Sequence, residues 1–97
     1  MSISYEEARD RVRAELQPTW THGTFGIDDR TIVENDAMFV FEVGALEFLK
    51  GEDPGLEILG GVTVVYKEDG HVDSLPSVEV ATDSTIRRRE NPSPTFA

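Results

Sequence analysis

Residues 37–43 read AMFVFEV, and the fold class turns on them. In an extended chain successive side chains point to opposite faces, so Phe39, Phe41 and Val43 share one side and Met38, Val40 and Glu42 share the other. Aromatic and β-branched residues dominate, with no Gly or Pro inside, so the segment is a strand that Gly44 ends. Just upstream, Asn35-Asp36 is a turn signal between two apolar segments. A first strand over 25–34 then pairs with 37–43 as a hairpin, with Asp28-Asp29 the place for a bulge.

Downstream, Ala45 to Lys50 suits either one helical turn or an extension of the strand, and Gly51 to Gly55 is a dense loop signal. Leu56, Ile58 and Leu59 return that loop to the body, and Gly60-Gly61 bends the chain into a third strand over 62–67. Glu68-Asp69-Gly70 is a tight turn, with a returning strand over 71–75. Residues 77–82 fit either a short helix capped by Ser77 or a strand carrying Val78 and Val80. Beyond Asp83 the apolar pattern stops, and residues 84–97 read as a flexible tail on a single domain of residues 1–83.

At the other end, Tyr5, Ala8, Val12 and Leu16 recur at helical spacing. Ser4 is the cap and Glu7 its partner, Ile3 sits where a staple reaches Ala8, and Pro18 stops the helix, giving residues 5–16. The expected fold is therefore α+β: an N-terminal helix packed on a four-stranded antiparallel sheet of two hairpins. The helix covers the Phe39, Phe41 and Val43 face. The opposite face, with Met38, Val40 and some of Val62, Val64 or Val65, is left for loop 44–59, a second copy of the chain, or a partner.

The 97 residues carry 19 acids against 9 bases, a net charge of −10. The imbalance sits in residues 28–83, where 14 acids face only Arg30, Lys50 and Lys67. Such a surface repels phosphate, which argues against nucleic acid and anionic membranes and for a basic protein partner. No apolar run approaches the ~20 residues of a membrane span, and residues 1–20 are too polar for a signal peptide. The absence of Cys excludes disulfides and thiolate chemistry and suits a cytoplasmic protein.

Catalytic signals are weak. His71 and Asp73 alternate on one strand, a geometry that orients an imidazole but supplies only two metal ligands, and His22 is a loop residue. No Gly-x-Ser-x-Gly, Walker A or Gly-x-Gly-x-x-Gly pattern occurs, and the pairs Asp28/Asp29, Glu52/Asp53 and Glu68/Asp69 sit at turns and loops, where carboxylates are solvated. The sequence points to no cofactor, no metal and no enzymatic activity. Trp20 reads as packing over the end of the helix, and Arg87-Arg88-Arg89 as a solvated end or a tether to acidic surface.

Residues 31–75, with AMFVFEVGALEFLKGED followed by LEILGGVTVVYKEDGHVDSLPS, resemble the YrhB-like domains, the immunity protein 35 family. Val65, Lys67, Gly70 and Val72 match that family's last hairpin, and Phe39 and Phe41 its aromatic strand. Met38 stands where the family has Trp, and Val62-Thr63 follows Gly61 without the family's Pro. The resemblance implies a small bacterial protein that neutralises a toxin in the cytoplasm of the producing cell. The expected partner is a cognate toxin with a basic surface. Met38 and Val40 are the expected buried anchors, and Glu42, Glu47, Glu52, Asp53 and Glu57 the acidic contacts. The apolar strip also leaves room for a homodimer.

Overall fold

The computed structural model describes residues 2–21, 23–56 and 61–95. Helix α1 spans Tyr5–Leu16. Ser4 Oγ accepts the Glu7 N–H at 3.1 Å, satisfying one of the amides a helix start leaves open. A single 3-10 turn over Gln17–Thr19 follows, with Pro18 in its first turn.

Five strands form one antiparallel sheet in the order β4-β3-β2-β1-β5: β1 Phe25–Glu34, β2 Met38–Ala45, β3 Val62–Tyr66, β4 Val72–Leu75 and β5 Arg87–Glu90. The expected α+β class and both hairpins are present. Asn35 closes the first, its Oδ1 accepting the N–H groups of Ala37 and Met38 at 2.9 Å. Strand β2 runs two residues past Val43, through Gly44 to Ala45. The register of β1 on β2 breaks between Asp28 and Val33, beside the expected bulge.

Two expectations need correction. The sheet has a fifth strand, β5, paired with β1 from Thr31 opposite Glu90 to Glu34 opposite Arg87. Residues 87–90 therefore belong to the domain rather than to a flexible tail after Asp83. All four are exposed, so no apolar alternation marks the strand. It is held by backbone pairing and by ion pairs from Arg89 to Glu34 at 2.6 Å and from Arg87 to Asp36 at 3.0 Å. The second correction concerns the sheet face away from α1. The chain covers it itself: helix α3, Ser77–Ala81, crosses it on the way from one sheet edge to the other.

The core has two layers. Between α1 and the sheet lie Tyr5, Ala8, Val12, Phe25, Ile27, Ile32, Phe39, Phe41 and Val65, with Val43, Ile3 and Leu16 against them. Tyr5 stacks on Phe41 at 5.2 Å and meets Phe39 edge-on at 5.5 Å. Trp20 contacts Phe25 at the start of β1 edge-on at 5.3 Å and packs against this core layer. Below the sheet, Met38, Val40, Val64 and Val80 form the second layer, flanked by Val33, Val62, Tyr66, Leu75 and Ile86.

Burial gives Tyr5 a titration signature. Removal from water, reinforced by the Asp29 carboxylate, pushes its phenol up to about 12. An unfolded Tyr titrates near 10, so the stability Tyr5 contributes is complete below about pH 10 and is lost as pH rises through 12. The urea midpoint should fall between about pH 10 and 12 by more in the wild type than in Tyr5→Phe. Equal falls would place the phenol in water.

Gly70 closes the β3–β4 turn at φ +75°, where a Cβ would lie 2.8 Å from Cζ of Arg11. Gly70→Val should therefore cost about 1–3 kcal/mol, while Glu68→Ala on the exposed turn should be near neutral in the same melt. Equal effects would mean that the turn conformation is not what the glycine secures.

Candidate functional site

A concavity of about 800 Å³ lies on the sheet face opposite α1, where α3 leaves one end of that face open. Its floor is Val33, Val40 and Val62. Phe48 and Leu49 of helix α2, Leu46–Leu49, form one wall and Ser77 and Val80 of α3 the other. Register explains the charged part. Glu42 on β2 is directly opposite Asp28 on β1, so two carboxylates meet across the ladder on the groove side. The irregularity after Asp28 lets Arg30 fold back on it, with Nε at 2.9 Å and Nη2 at 2.7 Å from its two carboxylate oxygens. Those side-chain hydrogen bonds hold the Asp28 carboxyl below its ordinary range. Arg88 of β5, in register with Val33, lines the groove as well.

The expected partner residues do not converge. Val40 and Glu42 line the groove, and Glu42 is exposed there. Met38 and Val40 are 6% and 9% exposed, packed with Val80, so they are core residues and not accessible anchors. Glu47 serves the local structure instead. Its Oε1 accepts the Thr24 N–H at 2.9 Å, which ties α2 to the start of β1 and holds the Glu47 carboxyl low. Glu52 and Asp53 are exposed on the following loop, where Asp53 Oδ1 accepts the Gly55 N–H at 3.0 Å. Glu57 lies outside the described residues, as do His22, Ile58, Leu59, Gly60 and Phe96.

Two carboxylates outside the expected partner set, Asp29 and Glu34, are heavily bonded. Asp29, fully buried rather than solvated, accepts from Arg9 Nη1 at 2.8 Å and from Thr95 through Oγ1 at 2.7 Å and the backbone N–H at 2.9 Å. Asn91 Nδ2 donates to the Asp29 carbonyl at 2.6 Å. Glu34 accepts from Lys67 Nζ at 2.7 Å and Arg89 Nε at 2.6 Å, while Lys67 lies 4.6 Å over the Phe39 ring. Burial alone would raise the Glu34 carboxyl, but its two cations outweigh that and hold it low. Both clusters fasten α1, β3 and β5 to β1. The Arg87-Arg88-Arg89 triplet is the one sequence signal for this, through its expected tether to acidic surface.

His71 does not pair with Asp73. Its Nδ1 meets Asp69 Oδ1 at 2.7 Å, with the ring stacked on Tyr66 at 4.4 Å, so it braces the turn. No group of three or more metal-ligating side chains occurs among the described residues. Nor is any described helix long and apolar enough to cross a membrane. Compared with known proteins, the chain matches no family model, no curated protein and no solved structure.

Proposed function

We propose that this chain is a non-catalytic binding protein that neutralises a cognate toxin domain with a basic surface, in the cytoplasm of the producing cell. The observation that carries the reading is electrostatic. Residues 28–83 bear 14 acids against three bases, and two of those bases are committed internally, Arg30 to Asp28 and Lys67 to Glu34. Exposed carboxylates such as Glu42, Glu52 and Asp53 are left to act on a partner. A field of that sign speeds encounter with a cation-rich face. The resemblance of residues 31–75 to immunity proteins supplies the kind of partner. A chaperone-like module is the alternative, but it requires a bare apolar strip, and α3 covers part of that strip.

The test is kinetic. Where a toxin domain is encoded beside its own gene, the chain should bind that domain, and co-expression should restore growth. Raising salt to roughly 0.5 M should slow association at least tenfold and change dissociation much less. No protection, or an association rate indifferent to salt, would overturn the reading.

A further inference from the structure

We infer that the groove between α2 and α3 receives one long basic side chain, Arg or Lys, of the protein partner, with Glu42 as its counter-charge. The inference rests on the binding function proposed above and assigns that function an anchor point. Glu42 and Asp28 are directly opposed on neighbouring strands, an arrangement that repels unless cations intervene. Arg30 supplies one cation, and Asp28 takes it with both carboxylate oxygens. Glu42 is exposed in the same groove, and no hydrogen bond or ion pair ties it down among the described residues. Arg30 also feels the Glu42 charge, but after that of Asp28, so two carboxylates share one guanidinium and the trio keeps a net charge of −1.

The rest of the groove selects the shape of the group that brings it. Phe48, Leu49, Val62 and Val80 surround the approach with apolar surface, which suits an aliphatic stem ending in a cation and not a bare metal ion. Arg88, two strands from Glu42 on β5, repels a cation from that side. The basic side chain thus enters along the α2 wall. An acidic or neutral side chain would leave Glu42 uncompensated, so the groove discriminates by charge.

Two measurements test this separately from the toxin reading. First, Nα-acetyl-argininamide at millimolar concentration, added to the ¹⁵N-labelled full chain, should shift amides at Glu42, Phe48, Val62 and Ser77. The uncharged isostere Nα-acetyl-citrullinamide should not, and Glu42→Gln should abolish the response. Second, against the cognate toxin domain, Glu42→Gln should speed dissociation at least tenfold, and Phe48→Ala should do so to a lesser degree. Asp69→Asn, on the far hairpin, should change nothing. Toxin binding that is unchanged by Glu42→Gln would overturn the groove assignment and leave the toxin reading standing. Equal shifts from the arginine and citrulline probes would overturn it as well. If the arginine probe alone gives the shifts and no toxin binds, the groove stands and the toxin reading falls.

Discussion

Phe41→Ala should lower the unfolding free energy by about 3–5 kcal/mol, a large share of the roughly 5–15 kcal/mol of a typical small domain. Phe41 is 1% exposed and is the largest of the fully buried side chains. It sits on β2 between β1 and β3, with its ring stacked on Tyr5 of α1. Removing it leaves a void bounded on one side by a sheet and on the other by a helix, and neither collapses easily into the space. The aromatic contact goes with it, which adds to the transfer and cavity losses. Urea denaturation reads the effect as a shifted midpoint at unchanged slope. Val43→Ala, on the same face at a half-buried site, should cost clearly less. A midpoint that ignores Phe41→Ala would mean that α1 packs elsewhere.

Stopping the chain after Asp83 should cost at least as much, about 3–5 kcal/mol, and lower the melting temperature by more than roughly 10 °C. The sequence alone suggests the opposite, because residues 84–97 hold little apolar material. The structure puts the stabilisation into polar contacts. Truncation removes Thr95 and Asn91 from Asp29, whose carboxylate keeps Arg9 but loses three donor contacts within a fully buried site. It removes Arg89 from Glu34 and strips β1 of one of its two hydrogen-bonded neighbours. A buried carboxylate that keeps only part of its donors carries much of its desolvation cost uncompensated. Thermal melts of the full and shortened chains decide the point. A drop of only a few degrees would show that β5 is peripheral.

What is legible in the sequence follows the apolar pattern. Tyr5, Ala8, Val12 and Leu16 mark α1 from first residue to last, and the alternation about Phe39 and Phe41 marks the face it covers. Gly70 marks the second hairpin because its conformation demands glycine. Residues 77–82 are ambiguous because a five-residue helix with one buried side chain, Val80, has no room to show a period. β5 is illegible for a different reason. A strand exposed on both faces is held by its backbone and by charges whose partners, Glu34 and Asp36, lie some fifty residues away. Spacing along the chain cannot report such pairs. The candidate site is legible only through Val40 and Glu42. Met38 fails as an anchor because alternation tells which face a side chain takes and not what lies over that face.

The arginines of β5 also bear on how copies of the chain meet. An outer strand offers its unpaired amides and carbonyls to any passing strand, and a sheet left open at that side invites end-on growth. Here the outermost strand carries three cations in four residues. Two molecules aligning β5 against β5 would line up six arginines along one ladder, Arg87 and Arg89 of each only partly offset by Asp36 and Glu34, and the remaining repulsion would oppose the pairing. The same residues that fasten the sheet inward through Glu34 and Asp36 thus guard it against self-templated polymerisation outward.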